Sequence, residues 1–224
     1  MKKSKNIYII IGVVALLLTA FILAASLYKS SATVASEANT APSNDLRAKI
    51  IGNGERAQGS ATSRVVVVEF LDPECESCRL MHPITKSVLA EFPGQVYFVL
   101  RYMPLHKNSA YAASALEAAA LQGKYWESLD VLFEKQPEWG SHANPRPELI
   151  LGFLAEIGLD RARLESDMKN ADIAQKIETD KNDALALGVR GTPTFFIGGK
   201  MLMELGEAPF RQAIQDELDE NSPL

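Results

Sequence analysis

The apolar positions of the chain change their spacing along its length, and each change marks an element. Residues 65–71 read Val-Val-Val-Val-Glu-Phe-Leu, a nearly continuous apolar run that predicts a fully buried strand. Residues 75–92 carry Met81, Ile84 and Val88 at helical spacing, and Pro93-Gly94 stops that helix. A second β run spans 95–102, with Val96, Tyr97, Phe98, Val99 and Leu100. A long helical stretch follows. Residues 109–121 are alanine-rich and favour a helix by propensity, and 125–135 set Trp126, Leu129 and Phe133 on one side. Residues 148–157 place Leu149, Ile150, Phe153, Leu154 and Ile157 along a helix ended by Gly158, and helices continue over 160–170 and 173–187. The chain returns to β at 194–197, turns at Gly198-Gly199 and resumes over 200–203. Residues 209–220 close it as a helix with Phe210, Ile214 and Leu218 in register.

One apolar run is of another kind. Residues 7–28 hold no charge and are rich in Ile, Val, Leu and Ala. About 22 residues rising ~1.5 Å each make a helix of roughly 33 Å, enough for a hydrocarbon core of ~30 Å. Lys2, Lys3 and Lys5 precede the run while Lys29 alone follows at once, which puts residues 1–6 in the cytoplasm. The expectation is an uncleaved single-pass anchor in the cytoplasmic membrane. Cleavage near Thr33-Val34-Ala35 is the alternative. Residues 29–44, rich in Ser, Ala, Thr and Asn, predict a flexible tether, and 45–224 a single domain on the periplasmic or extracytoplasmic side.

Composition narrows the chemistry. A net charge of −5, a pI near 5.3 and the lack of a basic stripe exclude a nucleic-acid partner. The chain holds two cysteines, Cys75 and Cys78, spaced Cys-Glu-Ser-Cys where the first strand gives way to the first helix. A thiol at a helix N-terminus feels the macrodipole and unsatisfied N–H groups, and both favour the reactive thiolate. An exported domain of roughly 180 residues buries a core without a structural bridge, so the pair is free for redox work. A structural disulfide, or half of a zinc site, is the blander reading. His82, His106 and His142 offer no ligand spacing to complete the latter. Glu69 follows four valines, and a buried carboxyl there has a raised pKa and can exchange a proton with Cys78; a water-exposed carboxylate at the strand end is its alternative. Asp72, Glu74 and Glu76 surround Cys75 with negative charge, which opposes the helix dipole and predicts a moderate rather than an extreme redox potential.

The order β-α-β, helical block, β-β-α, with Cys75 and Cys78 at the first strand–helix junction, resembles an α/β thioredoxin fold with a helical insertion at about 106–188. The chain is similar to the DsbA-like family of exported thiol–disulfide oxidoreductases. Glu69 falls where that family has a buried acid, Pro83 where a proline kinks the active-site helix, and Thr192-Pro193 where a cis-proline loop faces the cysteines. The resemblance implies a monomer whose dithiol carries the electrons without a cofactor or metal. Its partners are exported protein thiols or disulfides and a membrane redox partner. Cys75 attacks or is attacked, Cys78 resolves the mixed disulfide, and Thr192 and Pro193 bind the client. Disulfide formation is the expected direction. Reductase or isomerase is the runner-up, and a tethered holdase or thiol metal-binding protein is an alternative of another class.

Overall fold

In the computed structural model, which describes residues 44–220, the valine run is the central strand of a mixed sheet. The elements are α1 (Asn44–Ile51), β1 (Ala57–Gln58), β2 (Val65–Leu71), α2 (Glu76–Ala90) and β3 (Val96–Tyr102). The helical block follows as α3 (Ser109–Ala120), α4 (Tyr125–Glu134), α5 (Gln136–Trp139), a 3-10 turn (Pro147–Leu149), α6 (Ile150–Glu156), α7 (Arg161–Asp167) and α8 (Ala171–Ala186). Then come β4 (Thr194–Ile197), β5 (Lys200–Met201) and α9 (Glu207–Glu220). The sheet order is β1-β3-β2-β4-β5. β2 pairs parallel with β3, from Val65↔Val96 to Leu71↔Tyr102, and antiparallel with β4, so that Glu69 stands between Leu100 and Phe195.

Every residue of β2 is buried because both faces of the sheet are covered. Val65 and Val67 pack with Met81 and Val88 of α2 and with Phe210, Ile214 and Leu218 of α9. Val66, Val68 and Phe70 face the opposite way, onto Ile50 of α1 and Ala184 of α8. A third cluster fills the helical block around Leu116, Leu129, Trp139 and Leu154, and Cys75 and Cys78 belong to it. The reactive pair therefore sits at the seam between sheet and helices.

A buried ionic network ties that block to the sheet. Asp180 of α8 pairs with Arg56 and, through Oδ1 at 2.8 Å, with Arg101 Nε of β3. Arg56 also reaches Glu117 of α3 at 3.0 Å, and Tyr102 Oη donates to the same carboxylate at 3.2 Å. Two helices begin on side-chain caps: Asp160 accepts from Arg163 N–H and Asn170 from Asp172 N–H, each contributing about 1 kcal/mol.

The departures from the sequence reading are local. The second strand of the hairpin keeps only Lys200–Met201 of the expected 200–203, the helix expected at 148–157 opens as a 3-10 turn beside Pro147, and the last helix starts at Glu207 rather than 209. The expected cytoplasmic segment 1–6, the expected anchor 7–28 and residues 29–43 of the expected tether lie outside the described residues, and Asn44 already opens α1. Among the described residues no helix is long and apolar enough to cross a membrane.

Candidate active site

Cys75 is the N-cap of α2, with extended backbone (φ −77°, ψ 123°), and Cys78 lies inside the first turn. Both are free thiols, 7% and 0% exposed respectively. Cys75 is thus more covered than a bare helix tip, because the Thr192 carbonyl oxygen accepts from its Sγ at 3.3 Å. The hydrogen bond from Cys78 is the largest influence on Cys75. It outweighs burial and, with Thr192 and the Cys78 and Ser77 N–H groups, lowers the Cys75 pKa to about 5. Cys78 moves the other way: burial first, then its hydrogen bond to Cys75 and the charge of Glu69, push its pKa well above the usual thiol value. One sulfur is built to be a thiolate and the other to stay protonated.

None of the acidic residues Asp72, Glu74 and Glu76 is among the main influences on that thiolate, and each is engaged by partners of its own. Asp72 is wholly buried, and its carboxylate accepts from Glu74 N–H (2.8 Å), Leu105 N–H (2.7 Å) and His106 Nδ1 (2.7 Å). Glu74 is equally occupied, accepting from the Asn108 N–H at 2.6 Å and Asn108 Nδ2 at 2.7 Å. Glu76 is exposed and pairs with His142 at 3.1 Å. The β3–α3 loop and the segment after α5 thus supply N–H donors and two imidazoles to the three carboxylates. The expectation of a thiolate opposed by its neighbours is corrected accordingly.

Glu69 is 3% exposed, and burial, followed by the Cys75 charge, pushes its pKa up to about 8. It is the buried acid of the site, not a carboxylate at the strand end. Pro83 lies inside α2. The Thr192-Pro193 bond is cis, and Thr194 Oγ1 closes the loop by donating to Gly191 O at 2.8 Å. The structure therefore brings Cys75, Cys78, Glu69, Thr192 and Pro193 to one place. Sequence reasoning missed Gln136 of α5. Its Nε2 donates to Pro73 O (2.9 Å) and Cys75 O (3.0 Å) while Arg79 Nε donates to its Oε1 (3.1 Å), which fixes the approach to the helix. No local pattern marks a glutamine 61 residues away from the cysteine it holds. Among the described residues no group of three or more His, Cys, Asp or Glu side chains is placed to bind a metal ion.

A protein-family model described as Thioredoxin matches residues 52–216. A thioredoxin-like oxidoreductase from Silicibacter pomeroyi superposes with a TM-score of 0.65 at 27% identity, covering 78% of this chain and 96% of that one. The thiol-disulfide exchange protein alpha-DsbA2 from Wolbachia pipientis gives 0.64 at 25% identity, covering 80% and 92%. A Na(+)/H(+) antiporter NhaA from Herminiimonas arsenicoxydans is 35% identical over 148 residues, 66% of this chain and 23% of that protein. The chain spans under a quarter of the length of the curated relatives it matches.

Proposed function

Because the chain belongs to the thioredoxin family, and is a thiol–disulfide oxidoreductase of its DsbA-like type, we propose that it forms disulfides in exported proteins through Cys75 and Cys78. The observation that carries the direction is the divided pair. A Cys75 pKa of about 5 stabilises the reduced form, and stabilising the reduced form makes the disulfide a stronger oxidant. Of the two features that favour a reductase or isomerase, the acidic surroundings and the threonine before Pro193, donors engage the first.

A client thiolate attacks the Cys75 sulfur, the Cys75–Cys78 bond breaks, and Cys78 leaves. Being buried, Cys78 needs a proton at once, and Glu69 is the acid beside it. The client's second thiolate then attacks its own sulfur in the mixed disulfide, and Cys75 departs as a stable thiolate. The client loses two electrons and the pair gains them. A membrane redox partner takes them up and restores the disulfide. The client segment docks beside the Thr192-Pro193 loop, which already touches the Cys75 sulfur. The proposed site is the outer face of the cytoplasmic membrane, with residues 7–28 as the anchor. The uncharged run and the lysines before it support that address.

Trapping tests the roles. Cys78→Ala should accumulate mixed disulfides with clients through Cys75, and Cys75→Ala should accumulate very few. Equal trapping by the two variants overturns the assignment. The direction is read by mixing the parent with reduced and with scrambled test proteins: an oxidase closes bonds in the first far faster than it repairs the second.

A further inference from the structure

Glu69 is deep in the protein, yet each half-reaction asks it to give up or regain a proton. A cavity of about 90 Å³ reaches it from the side of α2 and α4. A water needs at least about 10–15 Å³ of such space, so several fit. Its wall includes Glu69, Thr85, His82, Lys86 and Asp130. Thr85 is 2% exposed, and its Oγ1 has no hydrogen-bond partner in the protein. An unpartnered buried hydroxyl is unfavourable, so one that shares this part-polar, part-apolar cavity with Glu69 is suited to hold a water. At the outer end, His82 Nε2 lies 2.6 Å from Asp130 Oδ1, and Lys86 Nζ holds the same carboxylate at 2.7 Å. Asp130 is 44% exposed and the His82 side chain 16%, so this pair stands between the cavity and solvent.

We propose that this cavity is the proton route of the active site, in which water held by Thr85 links Glu69 to the His82–Asp130 pair and so to solvent. The proposal rests on the Glu69 role given above. The carboxylate of Asp130 takes the Nε2 hydrogen, which leaves Nδ1 as the basic nitrogen of His82. Burial holds the His82 pKa below its ordinary value against the pull of Asp130, so the ring is neutral and free to accept. When Cys78 leaves its disulfide, Glu69 protonates it and regains one proton inward along the route. When the pair is reoxidised, Glu69 takes the Cys78 proton and sends one proton outward. The ionisable groups facing Glu69 are Cys75, Cys78, His82 and Lys86 from α2 and Asp130 from α4. β1, β3 and β4 present Gln58, Leu100 and Phe195. Thr85, His82 and Asp130 are positioning residues, because none touches a sulfur that reacts.

A route changes rates and not end points, which separates it from a structural role. The measurement uses the full chain carrying glutathione on Cys75. It follows the rate at which Cys78 expels that glutathione across pH, and separately the reduction potential against a glutathione buffer. Thr85→Val and His82→Phe should each slow expulsion about 10-fold, a share of the ~10²-fold or more that a positioned base supplies, with the potential unchanged. Thr85→Val added to Glu69→Gln should slow it no further. If Glu69→Gln is slow while Thr85→Val and His82→Phe match the parent, the route is wrong and the Glu69 role stands. If Glu69→Gln matches the parent, both fail. A potential that moves along with the rate in Thr85→Val also overturns the route. Asp130→Asn replaces His82→Phe if that variant does not fold.

Discussion

Asp72 Oδ2 and His106 Nδ1 stand 2.7 Å apart, and this contact sets the charge beside the reactive sulfur. Burial pulls the His106 pKa down, but the Asp72 carboxylate and the Cys75 thiolate more than offset it, and the imidazolium is favoured. His106→Leu should therefore leave the Asp72 charge facing Cys75 and raise the Cys75 pKa by about one unit, ~1.4 kcal/mol. An ultraviolet titration of the thiolate reads it. A midpoint still near 5 would show that the imidazole does not reach the sulfur.

The divided pair fixes how the potential depends on pH. Below the Cys75 pKa of about 5, reduction takes up two protons; above it, one. The reduction potential should fall by about 59 mV per pH unit on the acid side and about 30 mV on the other. The sign for stability follows. A thiol whose folded pKa is depressed contributes stability above its unfolded pKa and loses it as pH falls through about 5. The unfolding free energy of the reduced protein, less that of the oxidised, should grow from about pH 5 to about pH 9. A straight potential plot through pH 5 would refute the low Cys75 pKa.

Thr192 Oγ1 is buried with no hydrogen-bond partner, and Thr192 is among the groups that lower the Cys75 pKa. Valine keeps the branched shape and lacks the donor. Thr192→Val should raise the Cys75 pKa by about one unit, toward the lower end of what a hydrogen bond to a charged group contributes. The disulfide should become less oxidising while the thermal midpoint holds. An unchanged glutathione equilibrium would mean that the hydroxyl points away.

Asp180 serves stability instead. Asp180→Ala leaves the guanidinium groups of Arg56 and Arg101, 6% and 3% exposed, without their shared carboxylate. Breaking a buried pair from one side costs about 3–5 kcal/mol. Urea unfolding should show that loss. A change under about 1 kcal/mol would mean that Asp183 and Glu117 carry the arginines unaided.

The legible parts of this protein were those that repeat. β2, α2, β3 and the Gly198-Gly199 hairpin each stamp a period on several residues, and Glu69 betrays its burial by the valines before it. The two-residue β1 and the four-residue α5 are too short to show a period. The acids near Cys75 were visible, but their partners were not. Leu105, His106 and Asn108 come from a loop more than thirty residues on, and only folding shows that Asp72 and Glu74 are occupied. A charge counted along the sequence is a poor guide to the field at a sulfur whose neighbours arrive from elsewhere.

The two outer strands, Ala57–Gln58 and Lys200–Met201, have a further consequence. A long bare sheet edge would zip onto any open backbone that met it. Each outer strand offers only two residues of ladder, and Lys200 adds a charge to one of them. A loose client segment gains little by lying along either side. Such a sheet is blunted on both sides against edge-to-edge pairing with another chain.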